Sequence, residues 1–325
     1  MNFTIGFDKK DKPKLFSYFQ EIIEREQWSE GNFTQMFEEK WKEWNGAYAV
    51  AFGGWTGAAL AVLAYFGLKN TCILCPSNTF MATPLVNSFL SCNVEFVDCN
   101  RDDLCMNFDD LKEKVAKYNP SAVWVVHIGG HIAFQINEIA EFCKEKGIIL
   151  IEDCAHAHGA SWNGKKAGTW GDAGIYSFYA TKTISTGEGG MLVTRNRELS
   201  DFAKKFRNYG KDEYSVKGLN VRMSEFTAAI GYVQTGRLNE IVLWKNNYAR
   251  EKLDPKFLNR VIFPEGMTSG YYKYIVFEEI PKSTGKVYDR SCHHIMGKDY
   301  DLPNTDWVAK NHWCVPIYYK GDSKS

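Results

Sequence analysis

Lys182 and Asp153 are the pair from which a reaction can be built. Lys182 follows an apolar, aromatic run, 175–179, and precedes the glycine-rich segment Thr186-Gly187-Glu188-Gly189-Gly190. Asp153 lies just past another apolar run, 147–151. An amine and a carboxylate delivered to the ends of neighbouring parallel strands are what pyridoxal phosphate requires. The amine forms a Schiff base with the aldehyde, and the acid pairs with the pyridinium nitrogen so that the ring takes up electrons. Neither residue decides the matter alone, because lysines beside strands are mostly solvated and aspartates there mostly cap the next helix.

The elements that position this pair can be read from apolar patterning. Over 94–193, runs of strand length alternate with helical segments, which predicts a mainly parallel sheet with helices on both faces. The clearest unit is a strand over 122–128, a helix over 136–146 with Ile139, Ala140 and Cys143 on its inner face, Gly147 as carboxyl cap, and a strand over 148–153. Ligands of such sheets gather beyond the carboxyl ends of the strands, where His127, Asp153 and Lys182 are expected. Further helices are expected over 57–68, 198–209 and 224–240. Beyond residue 246 the pattern weakens, with short runs such as 271–277. The expected division is a large domain, 1–245, and a smaller α+β domain, 246–325. No internal repeat is evident.

Several loops carry polar groups suited to a flat, phosphorylated ligand. Gly53-Gly54-Trp55-Thr56 leads into an apolar helix, so a hydroxyl and free amides meet at a helix amino terminus, a site for phosphate or an ordinary Thr cap. Phe80, on the loop after the strand that begins at Cys72, is either a stacking ring or a core residue. His156 and His158 follow Asp153 closely enough to reach a phenolate oxygen, or serve structurally. Asn220 and Arg222 immediately precede a helix and can meet an anion there. Neither GxGxxG nor GxxxxGK[ST] occurs at this helix start, which argues against a dinucleotide fold or a nucleoside triphosphatase.

Composition narrows the classes. With 325 residues and 45% hydrophobic content the chain can bury a large core. Lys plus Arg and Asp plus Glu both number 39, so no footprint for nucleic acid or anionic membrane is seen. Residues 1–14 are polar, with no signal or spanning segment expected, and the cytoplasm is the expected location. Nine cysteines are expected as free thiols, including the Cys72 and Cys75 pair. Cys292, His293 and His294 lack ligand-rich company nearby in sequence, so no structural metal is expected.

Five ordered segments, GGWTGAAL, PSNTFMAT, EDCAHAHGA, YSFYATKTISTGEGG and GLNVRMSEFTAAIG, together resemble the DegT/DnrJ/EryC1/StrS sugar aminotransferases, over about residues 25–245. The resemblance implies a three-layer α/β/α, fold-type I pyridoxal phosphate enzyme. Lys182 matches the Schiff-base lysine, Asp153 the acid on the ring nitrogen, His156 the residue beside the ring oxygen and Phe80 the stacking aromatic. Thr56, Gly57 and Ser177 match the phosphate cradle. Asn220 resembles a residue reaching the phosphate from the neighbouring subunit, which implies a homodimer with a composite site. Glu188 resembles a residue at the substrate end.

The implied reaction moves an amino group from an amino acid, L-glutamate first, through pyridoxamine phosphate to a keto sugar. A nucleotide-linked 4-keto-6-deoxyhexose is the leading acceptor, serving cell-surface polysaccharide or secondary-metabolite amino sugar synthesis. A sugar dehydratase, a ketocyclitol aminotransferase and a non-catalytic cofactor-binding regulator are the alternatives. Trp55 stands where the family has Gly, Thr183 where Asn often follows the lysine, and the carboxyl-terminal part is shorter than usual.

Overall fold

The computed structural model describes residues 8–211 and 213–319. The reading of residues 1–14 as free of a signal therefore falls partly outside the described residues. Two helices, α1 (Asp11–Glu24) and α2 (Asn32–Asn45), lead into β1 (Tyr48–Phe52). Then come α3 (Trp55–Tyr65), β2 (Cys72–Pro76), α4 (Ala82–Ser88), β3 (Asn93–Val97), α5 (Phe108–Tyr118), β4 (Ala122–Val126), α6 (Ile136–Lys146) and β5 (Ile149–Asp153). A short hairpin of β6 (Ser161–Trp162) and β7 (Lys165–Lys166) precedes β8 (Ala173–Ser177), β9 (Gly190–Thr194), α7 (Arg197–Phe206) and α8 (Glu225–Tyr248). The remainder contributes β10 (Met267–Thr268), β11 (Tyr274–Val276), α9 (Cys292–Ile295), α10 (Pro303–Asn311) and β12 (Trp313–Val315).

Seven strands form the central sheet in the order β1-β9-β8-β5-β4-β2-β3. β9 pairs antiparallel with both its neighbours, and the other adjacent pairs are parallel. Period-two alternation sends each strand's side chains to two separate cores. Ala49, Val123, Val125 and Leu150 pack on one face with Phe37, Trp41, Ile139 and Leu238 from α2, α6 and α8. Val50, Phe52, Ile73, Trp124 and Ile151 pack on the other with Ala58, Val62 and Leu199 from α3 and α7. These two buried faces make the expected three-layer α/β/α arrangement.

Local chemistry agrees with the sequence at several ends. Gly147 closes α6 at φ +67°, a left-handed cap that glycine adopts without a Cβ penalty. Asn107 and Asn196 cap α5 and α7 by accepting from Asp110 and Leu199 backbone N–H groups. α2 has no cap of its own. Glu225, at the start of α8, accepts from the N–H groups of Gly31, Phe33 and Thr34, so one helix's first residue satisfies the open end of another.

α8 runs past the expected stop at residue 240, and a turn of π-helix, Ala249–Leu253, extends it, so a division at 245 falls inside a continuous helix. Ile241 and Val242 keep the buried stripe going, and Lys245 stays buried by donating to the Tyr271 carbonyl at 2.9 Å. β10 pairs with β6, and β11 with β12. The carboxyl-terminal segment is thus stitched onto the earlier part as well as to itself. Among the described residues no helix is long and apolar enough to cross a membrane.

Candidate active site

Asp153 ends β5 with its carboxylate in the α3 and α4 layer, because it shares strand parity with Ile151. It is buried and accepts three hydrogen bonds: Trp55 Nε1 at 3.2 Å and Ala155 N at 3.0 Å on Oδ1, and Thr83 Oγ1 at 2.9 Å on Oδ2. Burial raises its pKa, while these donors and the Lys182 charge oppose the rise. Glu152, one residue earlier, points to the opposite layer and is fully engaged. It accepts from Gly168, Trp170 and Gly171 backbone N–H groups and bonds His127 Nε2 at 2.9 Å.

His127, expected at the strand ends with Asp153 and Lys182, is therefore absorbed in the core. Its Nδ1 accepts from Ala133 N at 3.1 Å, so Nε2 carries the proton given to Glu152. His158 is likewise buried away from the cleft, among Trp41, Tyr176 and Phe178.

Lys182 sits on the loop between β8 and β9, where its backbone N–H donates to Tyr179 O at 2.9 Å. Its ammonium lies 4.9 Å from the centre of the Tyr272 ring. Burial, assisted by Lys273 and opposed by Asp153, pulls its pKa down to about 8. His156 is stacked against Tyr272, with ring centres 4.1 Å apart, and Tyr288 lies beyond at 5.8 Å. Its Nε2 is 3.4 Å from the Tyr288 hydroxyl, and its buried Nδ1 has no partner among the described residues. Burial, reinforced by Lys182 and Lys273, holds the ring neutral.

Asp153, His156 and Lys182 all line one cleft of about 1100 Å³, together with Thr56, Phe80, Ser177 and Glu188. α3 begins at Trp55 after an extended Gly54 and has no side-chain cap, so its first N–H groups are free of helical partners at the cleft wall. Phe80 is 64% exposed, which excludes the core alternative for this ring. Ser177 is buried at the end of β8, its hydroxyl accepting from Tyr179 N at 3.3 Å.

Gly57 does not line the cleft. A Cβ there would lie 2.9 Å from Val221 Cβ, so the glycine permits close packing of α3 on the loop before α8, and what it can offer the cleft is its backbone N–H. Asn220 is exposed, outside the cleft lining, and bridges Asn208.

Sequence reasoning did not find Thr83, Tyr272, Lys273, Tyr288 or Arg290, which also belong to the site or its lining. Thr83 had a local signal: it follows Thr79 by one helical turn, and the two hydroxyls lie 3.1 Å apart. The others come from the weakly patterned carboxyl-terminal part, which gave no signal.

The model of the DegT/DnrJ/EryC1/StrS aminotransferase family matches residues 9–252. The chain belongs to that family. Among DegT/DnrJ/EryC1/StrS relatives, the GDP-perosamine synthase of Escherichia coli O157:H7 is 33% identical over 68% of this chain and 62% of its own length. The chain thus spans about three fifths of that relative in the alignment. The dTDP-3-amino-3,4,6-trideoxy-alpha-D-glucose transaminase of Micromonospora megalomicea subsp. nigra is 28% identical over 89% of this chain and 85% of its own. A solved aminotransferase, TlmJ from Streptoalloteichus hindustanus, superposes with a TM-score of 0.88 at 25% identity, covering 99% of this chain and 95% of that one.

Proposed function

We propose that this protein is a pyridoxal phosphate-dependent aminotransferase that moves an amino group from an amino acid, L-glutamate first, to a keto sugar carried on a nucleotide. One observation carries the reading: a depressed lysine amine and a buried, hydrogen-bonded carboxylate converge on a single cleft at the strand ends of a family fold. Two further features of the cleft support this cofactor. His156 Nδ1 is a buried polar atom with no protein partner, and the amino terminus of α3 offers unpaired N–H groups.

In this proposal Lys182 holds the cofactor, Asp153 faces its ring nitrogen, His156 its ring oxygen and Phe80 its ring face. Thr56, Ser177 and the first N–H groups of α3, including that of Gly57, hold its phosphate. Pyridoxal phosphate, when bound, supplies the aldehyde that captures the donor's amine and an electron sink for the bond that must break.

The protein's own part is to place charge and move protons. With a pKa of about 8, a useful fraction of Lys182 is a free base near neutral pH, able to take a proton from a substrate carbon and return it one atom away. A cationic ring nitrogen beside Asp153 would favour its charged form and so oppose the rise that burial causes. Trp55, Thr83 and the Ala155 amide fix its orientation. Neutral His156 offers a hydrogen bond without adding positive charge beside Lys182.

Lys273 and Arg290 on the cleft wall favour an anionic acceptor, which supports a nucleotide-linked sugar. The names of the GDP-perosamine synthase and the dTDP-3-amino-3,4,6-trideoxy-alpha-D-glucose transaminase support a sugar carried on a nucleotide; a 4-keto-6-deoxyhexose is proposed first and a 3-keto sugar next. The exposed rings of Tyr209 and Tyr214 and the exposed Leu219 lie near Asn220 in sequence, and they support a homodimer in which Asn220 reaches the partner's site. The proposal retains a small unit after α8 that completes the cleft, and a cytoplasmic setting.

The test is a half-reaction. Adding glutamate to the cofactor-loaded protein should convert the visible absorbance of the pyridoxal form to that of the pyridoxamine form, with release of 2-oxoglutarate, and a panel of keto-sugar nucleotides should reverse it. A protein that binds the cofactor but shows no conversion with any amino acid would exclude transamination.

A further inference from the structure

A second group of chemically able side chains lies outside the cleft lining. His293 and His294 belong to α9, and Asp306 sits in the first turn of α10. One ligand atom from each comes within 4.8 Å of the others. His293 Nε2 is 3.7 Å, and His294 Nδ1 3.6 Å, from the same carboxylate oxygen, Asp306 Oδ1. Residues 292–294 alone suggested no metal, because the third ligand is supplied only by the fold.

The second observation is His293 itself. The residue is fully buried, yet its Nε2 has no hydrogen-bond partner among the described residues. Its Nδ1 lies 2.7 Å from Ser77 Oγ, an oxygen that also accepts the His293 backbone N–H at 3.1 Å. A ring nitrogen anchored by a neighbour, with the other aimed at a carboxylate and a second imidazole, is the arrangement of a metal-ligating histidine.

We propose that His293, His294 and Asp306 bind a divalent first-row transition ion, zinc first, with water in the fourth position. Bonds of about 2.0–2.1 Å in a tetrahedron put ligand atoms about 3.3 Å apart, so both nitrogen-to-oxygen edges are within about 0.5 Å of closing. His294 Nδ1 would exchange its contact with the Ser291 hydroxyl, 2.8 Å away, for the ion. The ion's role is to brace a wall of the cleft. Cys292 already ties α9 to the loop after β2, its N–H donating to Ser77 O at 2.9 Å and its Sγ to Thr79 O at 3.1 Å. Arg290 and Ile295, flanking the histidines, line the cleft. A bond from α9 to α10 would fix that wall from outside.

The experiment uses the full chain without an affinity tag, loaded with pyridoxal phosphate, freed of unbound vitamer and stripped by chelator. Titration with Co2+ should saturate at one ion per chain and give the visible absorption of a four-coordinate site, which one equivalent of Zn2+ abolishes. His294→Ala and Asp306→Asn should each weaken binding by about tenfold or more. Absence of saturable Co2+ or Zn2+ binding, or wild-type affinity in both variants, would overturn the site. Anomalous scattering at the zinc edge from wild-type crystals gives a reading that does not depend on the variants folding. A peak in bonding reach of His293 Nε2 supports the proposal, and a peak elsewhere or none overturns it.

Discussion

The depressed pKa of Lys182 can be measured before any substrate is known. In water a lysine titrates near 10.5, and burial in this cleft brings Lys182 to about 8. At pH 7 roughly one amine in ten is then a free base, against roughly one in three thousand for an ordinary lysine, a gain of about 300-fold in reactive amine. The perturbations are Asp153→Asn and Lys273→Met, and they carry opposite signs. Asp153 stabilises the ammonium, so its neutral replacement should push the pKa below 8. Lys273 repels the ammonium, so its removal should push the pKa above 8.

The asparagine variant keeps most of the local bonding. Its carbonyl can still accept from Trp55 Nε1 and Ala155 N, and its amide faces a Thr83 hydroxyl able to accept. The assay is trace acetylation of the cofactor-free protein from about pH 6 to 11, with the peptide bearing Lys182 quantified by mass. A wild-type midpoint near 10.5, or shifts of the same sign in both variants, would refute the electrostatic reasoning.

Three further outcomes follow from the geometry. Trp55→Phe keeps the ring beside Trp124 but deletes the N–H given to Asp153, so urea unfolding at pH 7 should show a loss of about 2 kcal/mol, and no loss would mean that bond contributes nothing. Gly57→Ala should cost about 1–3 kcal/mol by overpacking against Val221 Cβ, and the same substitution made in a Val221→Gly background, which lacks that Cβ, should cost clearly less in the same assay. His158, pushed down to about 3 by burial, refuses a proton that the unfolded chain accepts near 6.5, so its contribution to stability is lost as pH falls through that window. The variant His158→Phe should therefore lose stability less steeply between about pH 6 and 4, by about 1.4 kcal/mol per pH unit. His131 and His312, both lowered to about 4, act in the same direction, while Asp103, raised to about 7, opposes them in wild type and variant alike.

Much of the fold was legible because burial on both sheet faces leaves continuous apolar strands and one-sided helices. The helix 136–146 and its Gly147 cap were placed correctly, and the strand expected over 122–128 is shorter only by its last two residues. His127, one of those two, continues from β4 into a polar core and not into the cleft, a distinction that run length cannot make. α8 was expected to stop at residue 240, yet Ile241 and Val242 carry its buried stripe on past the polar Asn239 and Glu240.

In the site, Asp153, His156, Lys182 and Phe80 were legible because each sits within a few residues of a strand end or in a quoted motif. Tyr272, Tyr288 and Arg290 were not, since only long-range packing brings their weakly patterned segment to the cleft. Asp306 was hidden for the same reason: no local spacing joins it to His293 and His294.

The central claim is a covalent attachment at one nitrogen. Protein equilibrated with pyridoxal phosphate, reduced with borohydride and digested, should yield a single peptide carrying the reduced vitamer on Lys182, and Lys182→Ala should yield none. A modified peptide centred on Lys273, Lys245 or another lysine, with Lys182 recovered intact, would contradict the account.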